Sequence, residues 1–209
     1  MTLPLDRSVN TTASFLAWLK LNFEDRKAQG KSVAKASEIA PLYMSASAIG
    51  HTQWSAWWAA SKVLGDYIMT CAARRAARAL DKAGLPTWSF SFEHVPLDPG
   101  LRGCNTTWPR VSVGPADFCT LPGACHGCEI AFWSMDAAGM RGAQEARLAK
   151  GMAAKWNEFA ERGSPGGGWP QYNESGDESW MFDLRSRAAA KLREKQCDFW
   201  DLHLPPKPA

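Results

Sequence analysis

Residues 123–133 read GACHGCEIAFW, a histidine between two cysteines, followed by an acid and an apolar run. The chain holds only 4 histidines, so one placed here needs a reason. Three chemistries compete for it: a metal ligand, a packed core imidazole, or a general base. The choice decides the fold, because each places the segment in a different kind of protein.

Working outward, the chain has 209 residues, enough for one ordinary domain or one large piece of a bigger one. Hydrophobic residues make up 45% and charged residues 22%, the balance of a chain that buries a core. A net charge of +3 without a coherent Lys/Arg stripe argues against nucleic acid as a partner. No apolar run approaches the roughly 20 residues that span a bilayer, so no membrane span is expected. The 11 tryptophans fall beside expected elements rather than in one patch, which suits core filling better than a stacking platform.

Six cysteines (Cys71, Cys104, Cys119, Cys125, Cys128, Cys197) form an even set, and N-x-[ST] sequons begin at Asn10, Asn105 and Asn173. Together they favour the lumen of the secretory pathway, or secretion, and a glycoprotein. The start MTLPLDRSVNTTASF has no apolar signal-peptide core. The expectation is a fragment whose signal peptide lies further upstream.

SFLAWLKLNF (14–23) spaces Phe15, Leu16, Leu19 and Phe23 at helical intervals, with Thr12 as the candidate cap. Residues 24–42 read as a polar connector with a second short helix. From 53 to 82, Trp57, Leu64, Ile68 and Cys71 mark one helical face, and Gly84 and Pro86 end it. PTWSFSFEHV (86–95) alternates Trp88, Phe90 and Phe92 against small or polar residues, the period of a strand. Residues 96–125 have no period and read as a long functional loop. Leu148, Met152, Trp156 and Phe159 give a helix over 143–162. SWMFDL (179–184) suits a short strand and AAAKLREKQCDFWDL (188–202) a closing helix. One clear strand needs neighbours for both its edges, so the rest of the sheet is expected in other sequence.

The order of these segments carries a resemblance. GDYIMTCAARRAA (65–77), GLPTWSFSFEHVP (84–96), GACHGCEIAFW, MAAKWNEFAERGSP (152–165), WPQY (169–172) and QCDFW (196–200) succeed one another. That succession, from about Phe15 to Trp200, resembles the C-terminal part of the type-B carboxylesterases, the cholinesterase-like α/β-hydrolases. The resemblance implies an α/β fold class: the C-terminal portion of an α/β-hydrolase, mostly helical, with one or two strands of a truncated sheet. Residues 1–209 would then be one C-terminal fragment of a single domain, its partner being the rest of that domain upstream.

In that family H-G-x-E carries the triad histidine, which falls here on His126. The resemblance implies a serine ester hydrolase: a serine hydroxyl needs an imidazole to take its proton, and an acid to orient the imidazole. The substrate would be a small-molecule ester, with no cofactor required. No G-x-S-x-G occurs in the 209 residues. Gly30-Lys31-Ser32-Val33-Ala34 is a chance look-alike, and Gly166-Gly167-Gly168 reads as a structural turn rather than an oxyanion loop. The serine and the acid are therefore expected upstream, and the isolated chain is expected to be inactive. Some relatives of this family have lost the triad, so a non-catalytic adhesion or binding module, or an inactive truncated relic, is the alternative.

Gly127 suits a sharp turn beside His126, and Glu129 suits an anchor that accepts backbone N–H groups. Zinc held by Cys119, Cys125, His126 and Cys128 is the rival, weakened by the missing second ligand pair. The resemblance also implies a disulfide between Cys71 and Cys197, cysteines that are joined in the cholinesterases. Cys104, Cys119, Cys125 and Cys128 then pair in one of three ways, left open by the residues themselves. His51, His94 and His203 read as surface or loop histidines, and Arg74, Arg75 and Arg78 as a solvated helix face.

Overall fold

The computed structural model describes residues 8–25, 27–28, 31–44, 55–97, 127–136 and 140–203. They divide into two compact units, residues 1–75 with 193–209, and residues 76–192. None of their helices is long and apolar enough to cross a membrane.

The first unit is helical. Helix α1 (Thr12–Leu19) starts at Thr11, whose hydroxyl accepts the Ser14 N–H while the Ser14 hydroxyl accepts the Thr11 N–H. The cap is thus Thr11 rather than Thr12, and the capping box satisfies two otherwise orphaned groups. A π-helical turn, Lys20–Glu24, continues α1, and its buried Asn22 amide donates to the Trp18 carbonyl at 2.9 Å. Phe15, Leu19 and Phe23 are buried as their spacing requires, but Leu16 is exposed and Trp18 packs in its place.

The connector holds a ribbon of two short strands, β1 (Lys27–Ala28) and β2 (Lys31–Ser32), and helix α2 (Ala36–Tyr43). Glu24 accepts the Ala36 N–H at 2.9 Å and Glu38 reaches back to the Lys35 N–H at 3.0 Å, so two carboxylates cap α2.

Helix α3 (Ser55–Gly65) runs through a second π turn, Asp66–Thr70, into α4 (Cys71–Lys82). The wider turn absorbs one extra residue, so the residues of α4 lie about 100° from the phase that an unbroken helix would give them. Leu64 and Cys71 stay buried, but Ile68, expected on their face, is 51% exposed. Trp57, also expected there, is half-buried, and the buried face of α3 is made of Ala56, Ala59, Ala60 and Val63. Small side chains let neighbouring helices approach closely.

Helix α7 (Glu194–His203) closes this unit and sends Trp200 into its centre. The indole N–H donates to the Tyr43 hydroxyl at 2.8 Å, and that hydroxyl donates to Asp66 at 2.9 Å. Arg193 pairs with the same carboxylate. Burial, then the neighbouring Asp66 charge, pushes the Tyr43 hydroxyl well above its ordinary pKa.

The second unit contains a three-stranded sheet in the order β3-β4-β5. β3 (Phe90–Phe92) pairs parallel with β4 (Glu178–Phe182), and β4 pairs antiparallel with β5 (Arg187–Ala190). Helix α5 (Ile130–Trp133) and helix α6 (Gly142–Arg162) complete it, and Gly163 ends α6 with a left-handed cap. Phe132, Leu148, Ala149, Met152, Trp169 and Phe182 form its core.

Two expectations need correction here. Residues 188–190 belong to β5, not to the closing helix, because the edge of β4 offers ladder partners from Ala190 to Arg187. Alanine's helix preference is a fraction of a kcal/mol per residue and yields to such pairing. The sheet is also larger than one or two strands, since three lie within this unit. The α6 stripe holds at Leu148 and Met152 but fades toward its end, where Phe159 is 41% exposed.

Candidate functional site

His126 lies outside the described residues, as do Cys104, Asn105, Cys119, Cys125 and His51. The structure takes up the site at Gly127, which begins the turn leading into α5. Gly127 has φ +85°, a conformation that L side chains rarely adopt. That is the sharp turn its sequence position suggested. Cys128 is buried and disulfide-bonded, so it is not available as a zinc thiolate. Glu129 occupies the N-cap position of α5 without a side-chain capping bond. Helix α5 then buries Ala131 and Phe132 and leaves Ile130 and Trp133 exposed.

The anchoring carboxylate is Glu145. It is fully buried on α6, where its two oxygens gather three donors. Oε1 lies 2.8 Å from His94 Nε2 and accepts the Leu97 N–H at 2.6 Å. Oε2 accepts the Arg141 N–H at 2.6 Å. His94 Nδ1 faces Asp183 Oδ1 at 3.5 Å, and the ring packs edge-on against Phe92 and Phe132, with centroids 6.2 and 5.4 Å away. His94 is thus a buried, paired residue and not a loop histidine. A buried carboxylate is tolerated only when its lone pairs are filled and a partner offsets its desolvation. One sequence signal was available: Glu145 precedes Leu148 by three residues, an acid on an otherwise apolar stripe.

Gly166, Gly167 and Gly168 all have positive φ, and the carbonyls of Pro165, Gly166 and Gly167 accept from Lys155 Nζ at 3.3, 2.7 and 3.1 Å. A loop that aims acceptors at a lysine is the reverse of an oxyanion hole, which needs aimed N–H donors. Its structural reading stands. Burial lowers the Lys155 pKa, partly opposed by Glu158.

Cys71 and Cys197 are disulfide-bonded, with Cα atoms 5.0 Å apart, inside the roughly 7 Å that a bridge tolerates. The basic run on α4 is not a solvated face. Arg74, 7% exposed, pairs with Asp198 at 2.6 Å, and Arg75 with Asp201 at 2.8 Å. Cys197, Asp198 and Asp201 lie within about one turn of α7, so one helix contact carries a covalent bond and two ion pairs. Asn10 and Asn173 are exposed, and the Asn173 side-chain Oδ1 accepts from the Gly176 N–H and the Ser175 hydroxyl. The His203 ring rests on Phe199, with its Nδ1 2.8 Å from the Phe199 carbonyl.

A model of the Carboxylesterase family matches residues 7–200 of the chain. The medium-chain fatty acyl-CoA hydrolase precursor of Anas platyrhynchos is 31% identical over 144 residues, 66% of this chain and 23% of that protein. Acetylcholinesterase 1 of Caenorhabditis elegans is 28% identical over 166 residues, 70% of this chain and 24% of its own length. Carboxylesterase 5A of Canis lupus familiaris is 27% identical over 155 residues, covering 68% and 24% respectively. The chain therefore spans about a quarter of the length of these relatives.

Proposed function

The chain belongs to the carboxylesterase family, and from that premise we propose that it is the histidine-bearing part of a carboxylic-ester hydrolase acting through an acyl-enzyme. The longer protein supplies the serine nucleophile, the oxyanion donors and the acid. His126 takes the serine proton as the hydroxyl attacks the ester carbonyl, then returns it to the departing alcohol. Water follows the same route in deacylation, activated by the same imidazole. Residues 1–209 are one part of that single catalytic domain.

One observation carries the reading: His126-Gly127-Cys128-Glu129 lies inside a family match running from 7 to 200. The buried, disulfide-bonded Cys128 and the positive-φ Gly127 support it, since both constrain the backbone directly after His126. The substrate class is a small-molecule carboxylic ester. Acyl-CoA thioesters belong in any panel, because the duck relative is named a fatty acyl-CoA hydrolase. The disulfides and the exposed sequon asparagines support a secreted or lumenal glycoprotein.

The test is turnover of p-nitrophenyl acetate, and of a medium-chain acyl-CoA, by the full-length protein and its His126→Ala variant. Loss of a triad member should lower kcat by roughly a thousandfold or more. A His126→Ala enzyme within tenfold of the parent removes the assignment. The 209-residue chain alone should show no turnover. Serine-dependent hydrolysis by that chain would overturn the division of labour. A folded full-length protein inert to every ester would favour the non-catalytic binding module.

A further inference from the structure

We propose that Glu145 is a positioning residue for catalysis: with His94, it holds the two flanks of the segment that carries His126. The inference rests on the reading of His126 as the general base. Its own support is the placement of three groups on one buried carboxylate. The chain enters that segment at Leu97, whose N–H is bonded to Glu145 Oε1. It leaves through Gly127 and Cys128 into α5, where Phe132 packs on the His94 ring. His94 is in turn bonded to the same Oε1 at 2.8 Å. The start of α6 is fastened as well, through the Arg141 N–H on Oε2.

The two flanks are thereby referred to one side chain on a 21-residue helix. Glu145 is fully buried and His94 is 5% exposed, so water does not compete for the bond between them, while the two backbone bonds are part-buried. A carboxylate offers acceptors to both backbone N–H groups and to the His94 ring nitrogen that faces it. A displacement of about 1 Å at a catalytic group can cost on the order of a hundredfold in rate. A glutamine here keeps the volume but turns an N–H₂ toward the N–H of either Leu97 or Arg141, so one of the backbone bonds is lost and the anchor loosens. A positioning effect of this kind belongs in kcat rather than in binding.

The experiment uses the full-length protein with p-nitrophenyl acetate, in four forms: parent, Glu145→Gln, His94→Gln and His126→Ala. A fluorescent fluorophosphonate counts competent serines, so that kcat is expressed per titrated site. Glu145→Gln should lose tenfold or more in kcat per site, with KM changed by less than about threefold. His94→Gln, which leaves both backbone bonds to Glu145 in place, should lose less. A purely structural role would lower the melting temperature and the number of sites but leave kcat per site at the parent value, and that result overturns the inference. Should Glu145→Gln not fold, an unchanged kcat per site in His94→Gln overturns it equally. If His126→Ala retains turnover, the base assignment falls and this inference with it. If His126→Ala is dead while Glu145→Gln is unaffected per site, this inference alone falls.

Discussion

Cys71 and Cys197 sit 126 residues apart in sequence and 5.0 Å apart at Cα. Closing a loop of that length removes unfolded-state freedom equivalent to about 5 kcal/mol at 25 °C, less any strain. Arg74–Asp198 and Arg75–Asp201 reinforce the same contact, but pairs that remain open to solvent contribute only about 0.2–1 kcal/mol each. Cys71→Ser together with Cys197→Ser should therefore lower stability by several kcal/mol in denaturant titration, and a loss below 1 kcal/mol would contradict this. A second residue reports on pH. Burial, then the Asp177 carboxylate that its hydroxyl donates to, pushes the Tyr172 pKa up to about 12. A raised folded-state pKa favours the protonated form. Its stabilisation is complete below the ordinary tyrosine value near 10 and is lost as pH rises through about 12. Tyr172→Phe should show a flatter loss of stability between pH 10 and 12. An unchanged alkaline slope would refute the claim.

The π turn at Asp66–Thr70 is the element on which the first unit's register depends. It rotates Cys71 into line with α7 while turning Ile68 outward. Deleting Met69, an exposed residue within that turn, should remove the extra residue and leave a regular helix with Cys71 still facing its partner. Mass spectrometry after alkylation of the denatured protein should then find Cys71 and Cys197 still bridged, and free thiols at both would contradict this account of the turn. Helix α6 offers the matching test in the second unit. Met152 is fully buried in the core with Phe132 and Phe182, so Met152→Ala should cost about 2–5 kcal/mol. Lys155, one helical step on, tethers the carbonyls of Pro165, Gly166 and Gly167. Removing it leaves those carbonyls to water, a smaller loss because the loop is partly exposed.

At the scale of the whole molecule, apolar side chains remain uncovered in each unit taken separately. Ile68, Met69 and Leu21 are more than half exposed in the first, and Trp133, Phe90 and Phe159 about half exposed in the second. Such surface on a chain a quarter the length of its relatives should make the isolated polypeptide associate or precipitate. Sedimentation giving a monomer that unfolds in one cooperative transition would count against this. The sequence by itself determined which segments are helices and where the main breaks fall, because apolar spacing and glycine or proline stops are local properties. Motif order likewise pointed to the family, and through it to the Cys71–Cys197 bridge and His126. Only tertiary structure decided the rest. Residues 188–190 became a strand because β4 lay beside them, and Ile68 turned outward because a π turn rephased its helix. His94 and Glu145, 51 residues apart, met because the second unit folds β3 against α6. Partnership of that kind depends on distance in space, and a period along the chain carries no information about it.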